Sequence, residues 1–177
     1  YQFKTTSDTE VILHLYHQYG TDFLQKLNGQ FAIAIWDKKY EELFVARDRV
    51  GIRPLFYTNV KGAIVFGSEI KAFLEYPGME LKLSPKVLAQ YFTFWTSLTP
   101  NTAFENVFEV PPGTYMIINS KGITNKTYWE LPVCKPVDYE YLEIDSAKKA
   151  FEELFLDAVK LRLRADVPIA AYLSGGL

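Results

Sequence analysis

Ser174-Gly175-Gly176 is the combination of residue types in this chain best suited to chemistry. Glycines that follow a strand let backbone N–H groups approach a phosphate closely, and a serine adds a hydroxyl donor. The preceding run, Pro168-Ile169-Ala170-Ala171-Tyr172-Leu173, is short and apolar, as in a buried parallel strand. A plain tight turn uses the same small residues, so the motif by itself leaves both readings open.

A second group, Arg47, Asp48, Arg49 and Arg53, invites a catalytic reading. No nucleophile lies near it in sequence, and alternating charges beside a sheet more often form a buried or interfacial ion-pair network, so a structural role is expected. His14 and His17 have i,i+3 spacing but no third ligand close by, which predicts solvated surface rather than a metal site. Cys134, the single cysteine, has neither a disulfide partner nor a neighbour at metal-ligand spacing and is expected to be an inert thiol in a linker. No metal-binding residue follows from the sequence.

Positioning these groups requires a packed scaffold. With 177 residues, 49% of them apolar and 16% aromatic, the chain has ample material for a core. A net charge of −2 gives no general field for nucleic acid, and the acidic residues are scattered. No apolar run approaches the roughly 20 residues needed to span a bilayer, and the N-terminus lacks the order of a signal peptide. A soluble, reducing, cytoplasmic setting without a nucleic-acid or membrane partner is the expectation. Tyr1 is not an initiator Met and Leu177 directly follows Gly175-Gly176, which together read as an excerpt of a longer protein.

The elements follow from periodicity and end signals. Ser7-Asp8-Thr9-Glu10 has the form of a capping box and predicts a helix over 8–19, with Val11, Ile12, Leu15, Tyr16 and Tyr19 on one stripe and Gly20 as its stop. A short helix at 22–27 precedes a hairpin at 31–36 and 43–46. Strands at 55–58 and 63–67 turn at Lys61-Gly62, followed by helices at 68–74 and 84–91, the latter with Pro85 in its first turn. Strands at 107–110, 113–118 and 123–129 complete a β-rich half of α+β type with mostly antiparallel sheet. Residues 131–145 read as a linker. Asp145 is placed to cap a helix over 146–164, with Phe151, Leu154, Phe155, Ala158 and Val159 on one face, before the apolar run at 168–173.

Ordered blocks along the chain carry a resemblance. Asp166-Val167-Pro168, the apolar run and Leu173-Ser174-Gly175-Gly176-Leu177 resemble the opening of the ATP-binding domain of glutamine-hydrolysing asparagine synthetases, whose pyrophosphatase-type loop continues with Asp-Ser. Ala46-Arg47-Asp48-Arg49-Val50-Gly51-Ile52-Arg53-Pro54-Leu55-Phe56-Tyr57 is similar to the hairpin-connecting segment of the same family's glutamine amidotransferase domain. Gly67-Ser68-Glu69-Ile70-Lys71-Ala72 and Leu27-Asn28-Gly29-Gln30-Phe31-Ala32 match it in order. Ser7-Asp8-Thr9-Glu10-Val11-Ile12 looks like the segment in which the family sets an aspartate against the α-amino group of bound glutamine.

The resemblance implies an incomplete sandwich of antiparallel sheets of the N-terminal-nucleophile hydrolase type, followed by the first helix and strand of an α/β ATP pyrophosphatase domain. Its boundaries would be 1–130 for the later part of a type 2 glutamine amidotransferase domain, 131–145 for a linker and 146–177 for the start of the synthetase domain. The parent enzyme would be a carbon–nitrogen ligase that hydrolyses glutamine and uses the ammonia to amidate aspartate through an aspartyl-adenylate, with ATP and Mg2+. Its partners would be glutamine, aspartate and ATP, and a homodimer is the assembly it allows. Asp8 would bind glutamine, and Leu173, Ser174, Gly175 and Gly176 would bind ATP. The nucleophilic cysteine would lie before Tyr1, because the family uses the free amine of a chain-terminal cysteine as base, which Cys134 lacks. The chain alone would then be inactive, with exposed sheet edges favouring poor stability or association. Two alternatives stand beside this: a homologous amidotransferase acting on another carboxylate, such as a sugar acid in surface-polysaccharide synthesis, and a non-catalytic truncated homologue acting as a binding module.

Overall fold

The computed structural model of the chain describes residues 1–135 and 143–175, in two compact units, Tyr1–Leu131 and Pro132–Leu177. In the first unit, helix α1 (Asp8–Tyr19) runs into a 3₁₀ helix (Gly20–Lys26) and then the hairpin of β1 (Ala32–Asp37) and β2 (Glu42–Arg47). A second hairpin joins β3 (Phe56–Val60) to β4 (Ala63–Gly67), and a 3₁₀ helix (Ile70–Glu75) and α2 (Pro85–Phe94) follow. The strands β5 (Val107–Glu109), β6 (Thr114–Asn119) and β7 (Gly122–Thr127) complete the unit.

The strands form two antiparallel sheets, ordered β1-β2-β6-β7 and β4-β3-β5. Period-two alternation sorts their side chains. Phe44 and Ala46 of β2 and Tyr115 of β6 join Ile33, Ile35, Phe23 and Leu24 in one buried cluster, against which Ile12, Leu15 and Tyr16 of α1 pack. Val45 and Met116 face the other way, into a second cluster with Leu55 and Val110 that Tyr57 of β3 completes. The larger sheet is therefore covered by helix on one face and by the smaller sheet on the other, an antiparallel sandwich. The Tyr16 hydroxyl donates to Asp37 Oδ2 at 3.2 Å, and burial together with that carboxylate pushes its pKa up to about 12.

The chain crosses between the sheets after β2 and again before β6, and both crossings are fastened at Arg47 and Asp48. These are buried, whereas Arg53 is exposed. Asp48 Oδ1 accepts from the amide of Ile52 at 2.9 Å, and Oδ2 accepts from the amides of Arg53 at 2.9 Å and Phe31 at 3.3 Å. The Arg47 guanidinium donates to the carbonyls of Arg53 (2.7 Å), Gly51 (2.7 Å) and Val110 (2.9 Å) and pairs with the Glu109 carboxylate. Arg47 and Asp48 thus act structurally, and their charges bind backbone and Glu109 rather than one another. Gly51 and Gly113 make this possible: with φ of +70° and +64°, a Cβ would lie 2.8 Å from Pro112 Cγ in the first case and 2.3 Å from the Trp129 carbonyl oxygen in the second.

In the second unit, α3 (Ile144–Arg162) begins two residues earlier than the sequence predicts. Its N-cap is Glu143, without a side-chain hydrogen bond; Asp145, expected to be the cap, lies inside the first turn, where it still suits the helix dipole and approaches Lys148 Nζ at 3.6 Å. The expected strand at 168–173 is absent: these residues form no regular element and are exposed. A parallel strand satisfies its backbone through neighbouring strands, and the described part of this unit contains none. Part of the expected linker, 136–142, lies outside the described residues.

Burial raises the pKa of Asp48, but the backbone N–H groups around it outweigh that effect and hold it below its ordinary 3.8. Its contribution to stability is therefore fully present above pH 3.8 and lost as pH falls through the lower folded value. Asp48→Asn would turn an NH2 group toward one of the three amides and should cost about 1–3 kcal/mol at pH 7. Urea titrations of both proteins between pH 7 and pH 2 should show the gap closing in acid; parallel curves would exclude this role.

Candidate functional site

Asp8 is the first residue of α1 and sits at the surface. Ser7 caps the helix with extended backbone, its hydroxyl oxygen accepting from the Thr9 amide at 3.2 Å. Only half of the expected capping box forms. Glu10 does not return to the Ser7 amide, which instead donates to Thr5 Oγ1 at 3.2 Å. The Glu10 carboxylate reaches further back and accepts from the Lys4 amide (2.9 Å), the Thr5 amide (2.7 Å) and the Thr5 hydroxyl (2.6 Å). The Thr5 hydroxyl first, then the Lys4 amide, lower the Glu10 pKa to about 2. Asp8 itself receives one long hydrogen bond, from the Thr9 hydroxyl at 3.5 Å, leaving its carboxylate available to a cationic group.

The segment before the helix also covers the histidines. The Tyr1 ring tilts over His14 and the Phe3 ring meets it edge to face, at centroid distances of 4.4 and 5.2 Å, and Tyr1 hydroxyl and His17 Nδ1 share a 2.9 Å hydrogen bond. His14 is thus partly covered rather than solvated, because aromatic residues upstream fold back over it. No group of three His, Cys, Asp or Glu side chains among the described residues could hold a metal ion. Cys134 is a free, exposed thiol.

Leu173, Ser174 and Gly175 are exposed and outside any regular element, and a Cβ on Gly175 would meet no atom within 4 Å. Gly176 lies outside the described residues. The donor types at 173–175 suit phosphate, but no carboxylate accompanies them for a divalent cation. Two shallow grooves, of about 270 and 290 Å³, run beside Lys61 and Lys82 and beside Ser84 and Phe108 and hold none of the predicted site residues. The part of the Asp8 site that sequence reasoning missed is the closure of Glu10 on Lys4 and Thr5. Its one signal was the threonine five positions before a glutamate already expected to reach backwards. No helix among the described residues is long and apolar enough to cross a membrane.

Comparison with known proteins bears on both units. Residues 1–129 match a family described as glutamine amidotransferase domain, and residues 150–177 match one described as asparagine synthase. Asparagine synthetase [glutamine-hydrolyzing] 3 of Bacillus subtilis (strain 168) is 39% identical over 178 residues, covering 100% of this chain and 28% of that protein. Amidase chyE of Penicillium rubens is 36% identical, over 100% of this chain and 26% of its own length. The chain spans about a quarter of the length of such relatives. Among solved structures, the glutamine phosphoribosylpyrophosphate amidotransferase of B. subtilis is 28% identical with a TM-score of 0.50, over 73% of this chain and 24% of that one. The two antiparallel sheets are accordingly part of an N-terminal-nucleophile hydrolase sandwich. With its residues 1–129 matched by that family, the chain belongs to the glutamine amidotransferase domain family, and its residues 150–177 match the asparagine synthase family.

Proposed function

We propose that the chain is part of a glutamine-dependent asparagine synthetase, with 1–130 the later part of its amidotransferase domain, 131–145 a linker and 146–177 the start of its ATP-binding domain. The observation that carries this reading is the exposed Asp8 carboxylate, held in the first turn of α1 with one weak internal partner. A carboxylate so placed suits the α-ammonium group of glutamine, a charge-assisted contact that selects an amino acid over a simple amide. Glutamine would be hydrolysed to glutamate and ammonia by a cysteine other than Cys134, whose mid-chain position provides no α-amine to act as base.

In the second step aspartate attacks the α-phosphorus of ATP, giving aspartyl-adenylate and pyrophosphate, and ammonia then displaces AMP to give asparagine. Leu173 would pack on the nucleoside, and Ser174, Gly175 and Gly176 would donate to the phosphates that leave. The described residues do not fit Mg2+, since no three His, Cys, Asp or Glu side chains among them are grouped to hold it. A second acceptor has its own support: the fungal amidase is nearly as similar as the bacterial synthetase, at 36% against 39% identity. The same ammonia-supplying half would serve another carboxylate, with the acceptor chosen by residues outside this chain.

The full-length protein should release AMP and pyrophosphate with ATP, aspartate and glutamine. AMP release only with a different carboxylate would establish the second acceptor, and none with any acceptor would overturn the ligase reading. Asp8→Asn should raise KM for glutamine by about 10- to 100-fold, the equivalent of one charge-assisted hydrogen bond. An unchanged KM would remove Asp8 from the glutamine site.

A further inference from the structure

Residues 1–6 form no regular element and are exposed, yet residues 4–10 close into a ring. The Glu10 carboxylate gathers the Lys4 and Thr5 amides and the Thr5 hydroxyl, Thr5 Oγ1 accepts from the Ser7 amide, and the Ser7 carbonyl accepts from the Glu10 amide at 3.2 Å. Asp8 stands on this ring as the first helical residue. Helix ends fray, and a side chain at the first position keeps a fixed place only if the turn before it is held. The ring holds it.

Glu10 has a second effect, on charge. Glu10 takes the Lys4 and Thr5 N–H groups and the Thr5 hydroxyl, while the Asp8 carboxylate receives only the long bond from Thr9 and keeps its charge uncommitted. The low pKa of Glu10 keeps it ionised at neutral pH, where glutamine carries an ammonium group, and so able to accept from three donors.

We propose that Glu10 is a positioning residue for glutamine: by holding Lys4 and Thr5 it fixes the first turn of α1 and leaves the Asp8 carboxylate free for the ligand's ammonium group. This rests on the assignment of Asp8 to glutamine made above. Glu10 touches no substrate, and its influence passes through Asp8.

The test is steady-state glutamine hydrolysis by the full-length protein, with Glu10→Ala, Glu10→Gln, Thr5→Val, Asp8→Asn and the double variant Glu10→Ala/Asp8→Asn. Glu10→Ala should raise KM for glutamine about tenfold with kcat within about twofold of wild type. Glu10→Gln, which keeps one acceptor oxygen, should fall between, and Thr5→Val should move KM in the same direction. In the Asp8→Asn background Glu10→Ala should raise KM no further, because the group it positions has lost its charge. Additive effects in the double variant, or kcat and KM changing together with a lowered melting temperature, would mean a merely structural role and overturn the proposal. A normal KM in Glu10→Ala beside a raised one in Asp8→Asn would overturn it while leaving the Asp8 assignment intact; a normal KM in Asp8→Asn would remove that assignment itself. If Glu10→Ala does not fold, Glu10→Gln and Thr5→Val decide between the same outcomes.

Discussion

A carboxylate that is 1% exposed must recover inside the protein the donors it had in water, or give up its charge. Asp48 recovers them from the backbone amides of Phe31, Ile52 and Arg53, which belong to the approach to β1 and to the first sheet crossing. Its own backbone extends the same function, donating to the Phe31 carbonyl at 2.9 Å and accepting from the Gly113 amide at 3.0 Å. Arg47 is adjacent in sequence, and successive side chains at the end of a strand point to opposite sides. The two charges therefore do not pair with each other. Arg47 satisfies itself on the far side, at Glu109 and the carbonyls of Gly51, Arg53 and Val110. Removing the Asp48 charge would strand amides at β1 and in the first crossing, and removing that of Arg47 would strand carbonyls in both crossings.

Those crossings decide what the rest of the unit can do. Because the chain leaves β2 for the small sheet and returns to β6 within one hydrogen-bonded corner, β2 is covered on both faces and four of its six residues are buried. Its outer face meets Phe23, Leu24 and the apolar stripe of α1, with Tyr16 anchored to Asp37. The direction of α1, and so the place of its N-terminus, is inherited from that packing. Asp8 and Glu10 are local features of sequence, but the helix that presents them is oriented by the core beneath its other end.

The regular part of this arrangement was legible in residue patterns. Ser7 and Gly20 bound α1 at the predicted residues, Lys61-Gly62 turns the second hairpin, and Ser84 with Pro85 starts α2, because each signal acts within a few residues of itself. The 3₁₀ helices at Gly20–Lys26 and Ile70–Glu75 were expected as ordinary helices, since three-residue and four-residue hydrogen bonding leave nearly the same apolar pattern over two turns. The partners of Asp48 were not readable at all. They are backbone amides, which every residue carries, so only the fold distinguishes Phe31, Ile52 and Arg53 from other donors. For the same reason the reach of Glu10 to Lys4 was hidden behind the more familiar capping box.

The second unit shows the opposite dependence. Helix α3 forms from local signals: 19 residues of periodic sequence, an acid in the first turn and Lys160 and Arg162 in the last. Its stripe of Phe151, Leu154, Phe155 and Val159 stays exposed, with the two phenylalanine rings stacked at 5.8 Å. A strand has no such local route to order, because every one of its hydrogen bonds is made to another strand. The apolar run at 168–173 therefore keeps the composition of a buried strand without its structure, and Ser174 and Gly175 are not held in a phosphate-binding turn. A glycine loop binds phosphate by presenting several N–H groups toward one point, and that convergence is set by the strand before it and the helix after it. On the proposed reading, the Asp8 carboxylate and its clasp are already ordered by α1, whereas residues 173–175 would gain their geometry only from a sheet in which 168–173 has neighbours.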